Sequence, residues 1–320
     1  MNLVVKKYED KYKNQVMQLI CNEYSYELSS YISFFNQFYE SEFQENALKI
    51  IVIDEDKNEL VVGFFALFNW PYKLNNQKIM AWKGVNAIVM PSYRGNGIFK
   101  KILDFVDIQL QHQNNVDFLI ATPLPAAFYG FKKNGWKHLL DLQWFIKLNN
   151  PFAFLFPRTK KINTIFNEKK SSDLTTIDNF IHQDDSSKFN SWRASYYKTK
   201  KYYLSYTEGK NIVQFGVKIN IRKKIIRELI VGEVATNYFE EEFMEKGFNY
   251  LNKKINKLPF ITFSSIAINP YHHNINNIIQ KVAYKKINKI IHIVVKDLTG
   301  KTSSLEKEKW ILYRADLDSW

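Results

Sequence analysis

A single cysteine, Cys21, leaves no intrachain disulfide possible. It falls among Val16, Leu19 and Ile20 on an apolar helical face and is expected to be a core thiol. No stretch holds 18 uninterrupted apolar residues, which excludes a transmembrane helix. The first residues, Met1 to Lys13, lack the apolar run of a secretory leader. Long basic blocks are also missing. Lysines come in pairs at most, as at 160–161, 169–170 and 223–224, without a basic stripe interleaved with stacking aromatics. That pattern argues against a nucleic-acid partner. A soluble, cytoplasmic protein without membrane insertion is the expectation.

What is present suffices for two domains. The 320 residues are 46% hydrophobic and 16% aromatic, enough for a sizeable core in each half. The formal charge of +13 has two readings. It can serve an anionic partner, or it can reflect a composition rich in Lys, Asn and Ile together.

Periodicity and breakers give an element order. Residues 2–8, 47–54, 59–70 and 78–90 read as strands, and 11–22 and 26–40 as helices. A loop is expected at 71–77. A helix follows from 97 to 112, with Phe99, Ile102, Leu103, Val106 and Leu110 at spacings of mainly three and four. Then come a strand at 117–122, a helix at 126–134 closed by Gly135, and a strand at 136–148. Residues 152–174 read as a connector. In the second half, 178–190 is helical or irregular. Strands are expected at 202–206, 211–219, 225–235, 259–268 and 286–296, helices at 238–254 and 270–282, and a last strand at 310–314.

The stretch Val89-Met90-Pro91-Ser92-Tyr93-Arg94-Gly95-Asn96-Gly97-Ile98-Phe99-Lys100 turns from a strand into a helix through two glycines. Such a turn is built for an anion. The first N–H groups of the helix have no intrahelical partners, the helix dipole adds positive potential, and Gly95 and Gly97 permit close approach. An ordinary tight turn is the alternative. The spacing does not fit a dinucleotide fingerprint, since no third glycine follows.

This stretch, with Val89, Pro91, Arg94 and Gly97, resembles the cofactor loop of the GNAT acyltransferase superfamily. Phe99 departs from that pattern, which usually has Gly or Ala there. The element order of the first half is similar to the GNAT order as well. The resemblance implies an α/β fold, a twisted mixed sheet flanked by helices, and acetyl-CoA as acyl donor. It implies donor contacts from Ile88, Val89, Met90, Arg94, Gly95, Asn96, Gly97, Ile98, Phe99 and Lys100. The second half ends like the first: 260–264, a helix, Ala283-Tyr284 and a strand parallel 118–122, a helix, Gly135-Trp136 and a strand. No glycine loop lies between Ala235 and Tyr238. The expected division is therefore a GNAT domain at 1–150, a connector at 151–174 and a degenerate GNAT-like domain at 175–320.

The implied reaction moves an acyl group from a thioester to an amine. The amine must lose a proton, the developing oxyanion must be stabilised, and the leaving thiolate needs a proton. Counting back from Gly135, the family's usual Asn and Tyr positions hold Leu124 and Phe131. Tyr129 is then the candidate acid, or a ring packed at the surface. Asn86 is the polar candidate in the preceding strand, with no carboxylate between Lys78 and Met90. His112 and His138 are bases by type. His272-His273 are adjacent and share no face, so no metal site is expected. Trp70, Tyr72, Trp82, Trp136, Trp144 and Trp192 could line a sugar site or fill the core. The loop, with Gly130 to Trp136, resembles a GNAT subset of bacterial surface-polysaccharide enzymes, which suggests an amino-sugar acceptor. An aminoacyl-tRNA-dependent transferase of the Fem type and a non-catalytic CoA-binding module are the rivals.

Overall fold

The computed structural model describes residues 1–75, 77–110, 116–158, 162–170, 174, 180–184, 186–196, 200–300 and 306–317. Strand β1 (Leu3–Lys7) precedes helices α1 (Lys13–Tyr24) and α2 (Leu28–Tyr39). Strands β2 (Leu48–Asp54) and β3 (Leu60–Asn69) are apolar from Ile50 to Ile53 and from Leu60 to Phe68, and are buried on both faces. Such runs require cover on both sides. Helices α1 and α2 pack on one face of the sheet and α3 (Ile98–Leu110) on the other. The buried stripe of α3 is Ile98, Ile102, Leu103, Val106 and Leu110, so Ile98 takes the place expected for Phe99.

Between β3 and β6 (Ala81–Val89), the expected loop carries a small hairpin, β4 (Tyr72–Leu74) and β5 (Gln77–Ile79). Tyr72 of this hairpin is buried, and its ring meets Phe118 and Trp310. The first half continues with β7 (Phe118–Ala121), α4 (Pro125–Lys133) and β8 (Lys137–Leu148). The connector contributes α5 (Ile162–Ile165), and beyond it come β9 (His182–Gln183), which extends the small hairpin, and α6 (Ser187–Tyr196). The second half follows the expected order. It comprises β10 (Lys201–Glu208), β11 (Asn211–Arg222), β12 (Ile226–Thr236), α7 (Glu241–Ile255), β13 (Phe263–Ile268), α8 (His273–Lys281) and β14 (Lys285–Asp297).

The main sheet runs through both halves in the order β1-β2-β3-β6-β7-β14-β8-β13-β12-β11-β10. The halves do not form two separate sheets on either side of residue 150. Each gives its last strand to the other: β14 pairs with β7 and β8 pairs with β13, both antiparallel, and β14 pairs with β8 at the centre. Lys296 of β14 reaches Asp107 of α3 at 2.6 Å, tying the incoming strand to the first half.

The equivalent gap of the second half is closed by the chain itself. The segment expected as a last strand at 310–314 instead makes isolated bridges, Ile181 to Trp310 and Ile268 to Tyr313. Ile311 and Tyr313 lie between the ends of β12 and β13, beside Val234, Thr236 and Ile268. At the start of α7 the Glu240 carboxylate accepts the N–H groups of Glu242 at 3.0 Å and Phe243 at 2.9 Å. A protein anion therefore fills the helix end where an external one would sit. Buried Arg193 donates from Nη1 to the Ala315 carbonyl at 2.6 Å and from Nη2 to the Leu317 carbonyl at 2.7 Å.

Two predictions follow from strand exchange and burial. Residues 1–150 alone leave β8 without either neighbour and β7 with β6 on one side only, so the fragment is expected to show no cooperative thermal transition, and coexpression with 151–320 restores one. A cooperative melt of the isolated fragment contradicts this. Burial pushes the Asp316 carboxyl up to about 7 from the ordinary 3.8. Its charge therefore opposes folding in full above pH 7, and the penalty fades as the pH falls towards 3.8. Asp316→Asn is expected to melt above the parent protein at about pH 8 and level with it near pH 4. An equal offset at both pH values removes this carboxyl as the cause.

Candidate functional site

The glycine turn is anchored from below. Tyr93, in the short helical turn Pro91–Tyr93, donates its hydroxyl to buried Asp54 at 2.8 Å. Gly95 and Gly97 take φ of +85° and +70°, the left-handed region that side chains disfavour, and a Cβ at either would meet no heavy atom within 4 Å. The result is an open cradle at the N-terminus of α3, which starts after a residue with no side chain to cap it. Asn96 Nδ2 donates to the Tyr93 carbonyl at 3.2 Å and stiffens the turn. Arg94 is not a free phosphate ligand. Its Nε donates to the Val89 carbonyl at 2.9 Å and its Nη2 pairs with Glu23 of α1 at 2.6 Å. Lys100 pairs with Asp104 at 2.7 Å. The Ile98 side chain is in the core, leaving only its backbone to the turn.

Strand β6 supplies the second element. Its parallel pairing with β7 runs from Ala81–Phe118 to Gly84–Ala121, where β7 ends and β6 continues alone. On its other side, Phe64 pairs with Ile88 and Ala66 with Val85, so Asn86 and Ala87 together oppose Phe65. This is a bulge, with Asn86 at φ +51°. The Met90 N–H goes to the Val62 carbonyl at 2.8 Å. Alternation along the strand then turns Val89, whose carbonyl Arg94 holds, towards the open side. Of Ile88, Val89 and Met90, only Val89 presents its backbone to the gap. The Ile88 side chain is buried.

The gap leads into a cavity of about 930 Å³. One wall is the bulge and the end of β7, with Asn86, Ala87, Thr122 and Leu124. The other is a row of rings, Tyr24, Tyr26, Tyr31, Phe34, Phe38 and Tyr196. Adjacent rings of this row stack or tilt at 5.1–5.6 Å from Tyr24 through Phe38. Asn86 donates to the Tyr39 hydroxyl, and the Tyr24 hydroxyl reaches Asn86 Oδ1 at 3.5 Å. Burial holds the phenols of Tyr31 and Tyr39 above their ordinary pKa of 10.0, so both stay protonated donors. Glu27 is the only charged side chain among the described residues that line the cavity. The reading of the sequence missed this wall. Its signal was an α2 with more rings than one buried stripe needs.

Helix α4 explains Phe99. A Cβ on Gly130 would come within 2.9 Å of the Phe99 ring, and that ring meets Phe131 edge-on at 5.0 Å. The missing side chain at 130 makes room for the large one at 99. Phe131 is core, packed on Trp136 at 4.8 Å, and Leu124 is exposed at the cavity lip. Tyr129 does not reach the site. It lies 69% exposed on the outer face of α4, against Phe128, and the cavity walls do not include it. All six rings proposed for a sugar site, Trp70, Tyr72, Trp82, Trp136, Trp144 and Trp192, are buried core.

His112 lies outside the described residues. His138 and His292, on neighbouring strands β8 and β14, both bond Asp141 Oδ1, at 2.8 and 2.7 Å. A bulge at Leu139 brings His138 and Asp141 to one face, a convergence that spacing alone does not reveal. His272 is stacked on Phe180.

Gly130→Val is expected to cost about 1–3 kcal/mol by overpacking against Phe99. Phe99→Ala in the same chain should recover part of it. Strict additivity in denaturant titrations of the double-mutant cycle rejects the ring contact as the constraint.

No protein-family model matches the sequence, nor does any curated protein. Solved structures do. A GCN5-related N-acetyltransferase from Anabaena variabilis superposes with a TM-score of 0.60 at 10% identity, over 92% of this chain and 72% of that one. A putative acetyltransferase from Pyrococcus horikoshii gives 0.53 at 12% identity, over 98% and 93%. The N-myristoyltransferase of Saccharomyces cerevisiae, solved with bound myristoyl-CoA, gives 0.52 at 9% identity, over 92% and 82%. With these superpositions spanning nearly the whole chain, the protein has the fold of the GNAT superfamily.

Proposed function

We propose that the protein is an acyl-CoA-dependent N-acyltransferase acting on the primary amine of a small molecule. One observation carries the reading: β6 and β7 part at Gly84–Ala121, where the ring-lined cavity opens, and β6 then runs on into the open glycine cradle. The backbone at Gly95–Ile98 would hold the donor's pyrophosphate, with Lys101 exposed nearby. The Val89 N–H would bond the pantetheine arm. Backbone N–H groups at the Asn86 bulge would polarise the thioester carbonyl. Tyr24, within reach of Asn86 at the cavity mouth, would return a proton to the leaving thiolate. This role passes to it from Tyr129, which faces solvent.

The cavity favours a small amine over tRNA. It offers no cationic side chain to a phosphate backbone among the described residues, and Glu27 meets an ammonium. Its rings suit an acceptor with an apolar face, such as an amino sugar, and its volume admits acyl groups beyond acetyl.

Calorimetry with acetyl-CoA and a series of longer acyl-CoAs tests the reading. Micromolar binding is expected, weakened at least tenfold in a folded Gly95→Val/Gly97→Val variant. Thiol release with an amine panel should follow, and Tyr24→Phe should lower kcat by about 10²-fold with KM little changed. Binding without thiol release for any amine makes this a binding module. Binding of aminoacyl-tRNA with none of acyl-CoA moves the assignment to aminoacyl transfer.

A further inference from the structure

At the end of the sheet where β8 runs out, the chain carries a feature separate from the cavity, whose lining includes none of its residues. After β8, the chain Pro151-Phe152-Ala153-Phe154-Leu155-Phe156 makes a short helical turn, Ala153–Leu155. Its large side chains face outward: Phe152, Phe154 and Leu155 are 62%, 55% and 67% exposed, and Phe156 is 41% exposed. Arg227 holds the turn in place, donating to the carbonyls of Ala153 at 3.0 Å and Phe156 at 2.8 Å. The tip of the β11–β12 hairpin lies beside it, with Ile221 paired opposite Arg227 and Ile225 also exposed. Phenylalanines left out of a core cost solubility, and a rigidly held cluster of them marks an interaction surface.

The charge around the cluster has one sign. Lys223 and Lys224 form the hairpin tip, Arg158 follows the turn, and Lys257 lies beside Asn256, which bonds Asn149. The three segments that meet at this end, 142–167, 209–227 and 246–262, contain no Asp or Glu at all. Glu228, the first acid after the hairpin, is fully buried against Arg222 and Ser265.

We propose that this end of the second half docks on an anionic lipid bilayer. The phenylalanines and Leu155 enter the headgroup boundary, and Lys223, Lys224, Arg158 and Lys257 meet the lipid phosphates. The two contributions match what stable peripheral binding requires, apolar insertion plus a basic patch. A protein partner would call for a rim that mixes both signs of charge, whereas the charged side chains of the three segments here are all cations.

Flotation of the full-length protein with liposomes tests this. Binding to vesicles of phosphatidylcholine with 30% phosphatidylglycerol is expected, with at least tenfold less to phosphatidylcholine alone and a steep loss in high salt. Phe154→Ser/Leu155→Ser and Lys223→Glu/Lys224→Glu should each reduce binding about tenfold while keeping the parent's thermal melt. Phe154→Trp should shift its emission to the blue on anionic vesicles. Absence of vesicle binding, or binding untouched by both double variants, overturns the proposal. So does a concentration-dependent dimer in sedimentation velocity that Phe154→Ser/Leu155→Ser disperses, which assigns the patch to a second copy of the chain. Acyl-CoA binding in the same variants reports the cavity separately.

Discussion

The antiparallel ladder between β8 and β14 is the contact on which the rest of the molecule depends. Neither half closes its own sheet. The cavity wall built by β7 and α4 is aligned by a strand from the far end of the chain. That strand is locked by Lys296 on Asp107, by His292 on Asp141, and by Gln143 donating to the Ile287 carbonyl at 2.8 Å. Strand pairs so distant in sequence carry a large loop-closure entropy, so the exchange persists only as part of a cooperative whole. This gives the second half a structural task independent of any ligand. It completes the first sheet, and its last segment, held by Arg193, sets Leu317 against the cavity.

The two halves use one architecture in opposite ways. In the first, α3 starts from a glycine turn open to solvent, and the strand gap opens into a cavity. In the second, both features are satisfied from within. Glu240 occupies the N–H groups at the start of α7, and Ile311 with Tyr313 occupies the gap. An unsatisfied helix end and an open strand gap are costly unless something fills them. The self-filling of one half makes the open state of the other the informative one.

Much of this was legible in the sequence. Apolar runs, the spacing of α3 and the glycine turn gave strands, helices and loop nearly in place, because local periodicity reflects burial. The strand exchange was not legible, since β8 and β14 end their halves in the same way and pattern does not say which neighbour each takes. The bulge at Asn86 is hidden because the run from Val85 to Met90 stays apolar across it. Tyr129 stands two residues before the Phe131 position, an offset that turns a helical side chain by about 200°, and the structure places it on the exposed outer face. The site's hydroxyls came instead from Tyr24, Tyr31 and Tyr39, on helices distant in sequence. Phe99 read as a flaw in the loop until Gly130, on another helix, supplied the space.

The charge also has a different meaning once placed. Scattered lysine pairs suggested drift, and a count of lysines alone supports that. The distribution of acids does not. Residues 246–296 hold nine lysines and no carboxylate, while the cavity's single formal charge is Glu27. In this stretch the positive potential arises as much from missing acids as from added bases. Of this stretch only the uncharged Ile291 is among the residues that line the pocket where an amine would have to arrive. A cationic acceptor approaching the cavity thus meets no cationic side chain among the described residues of its lining.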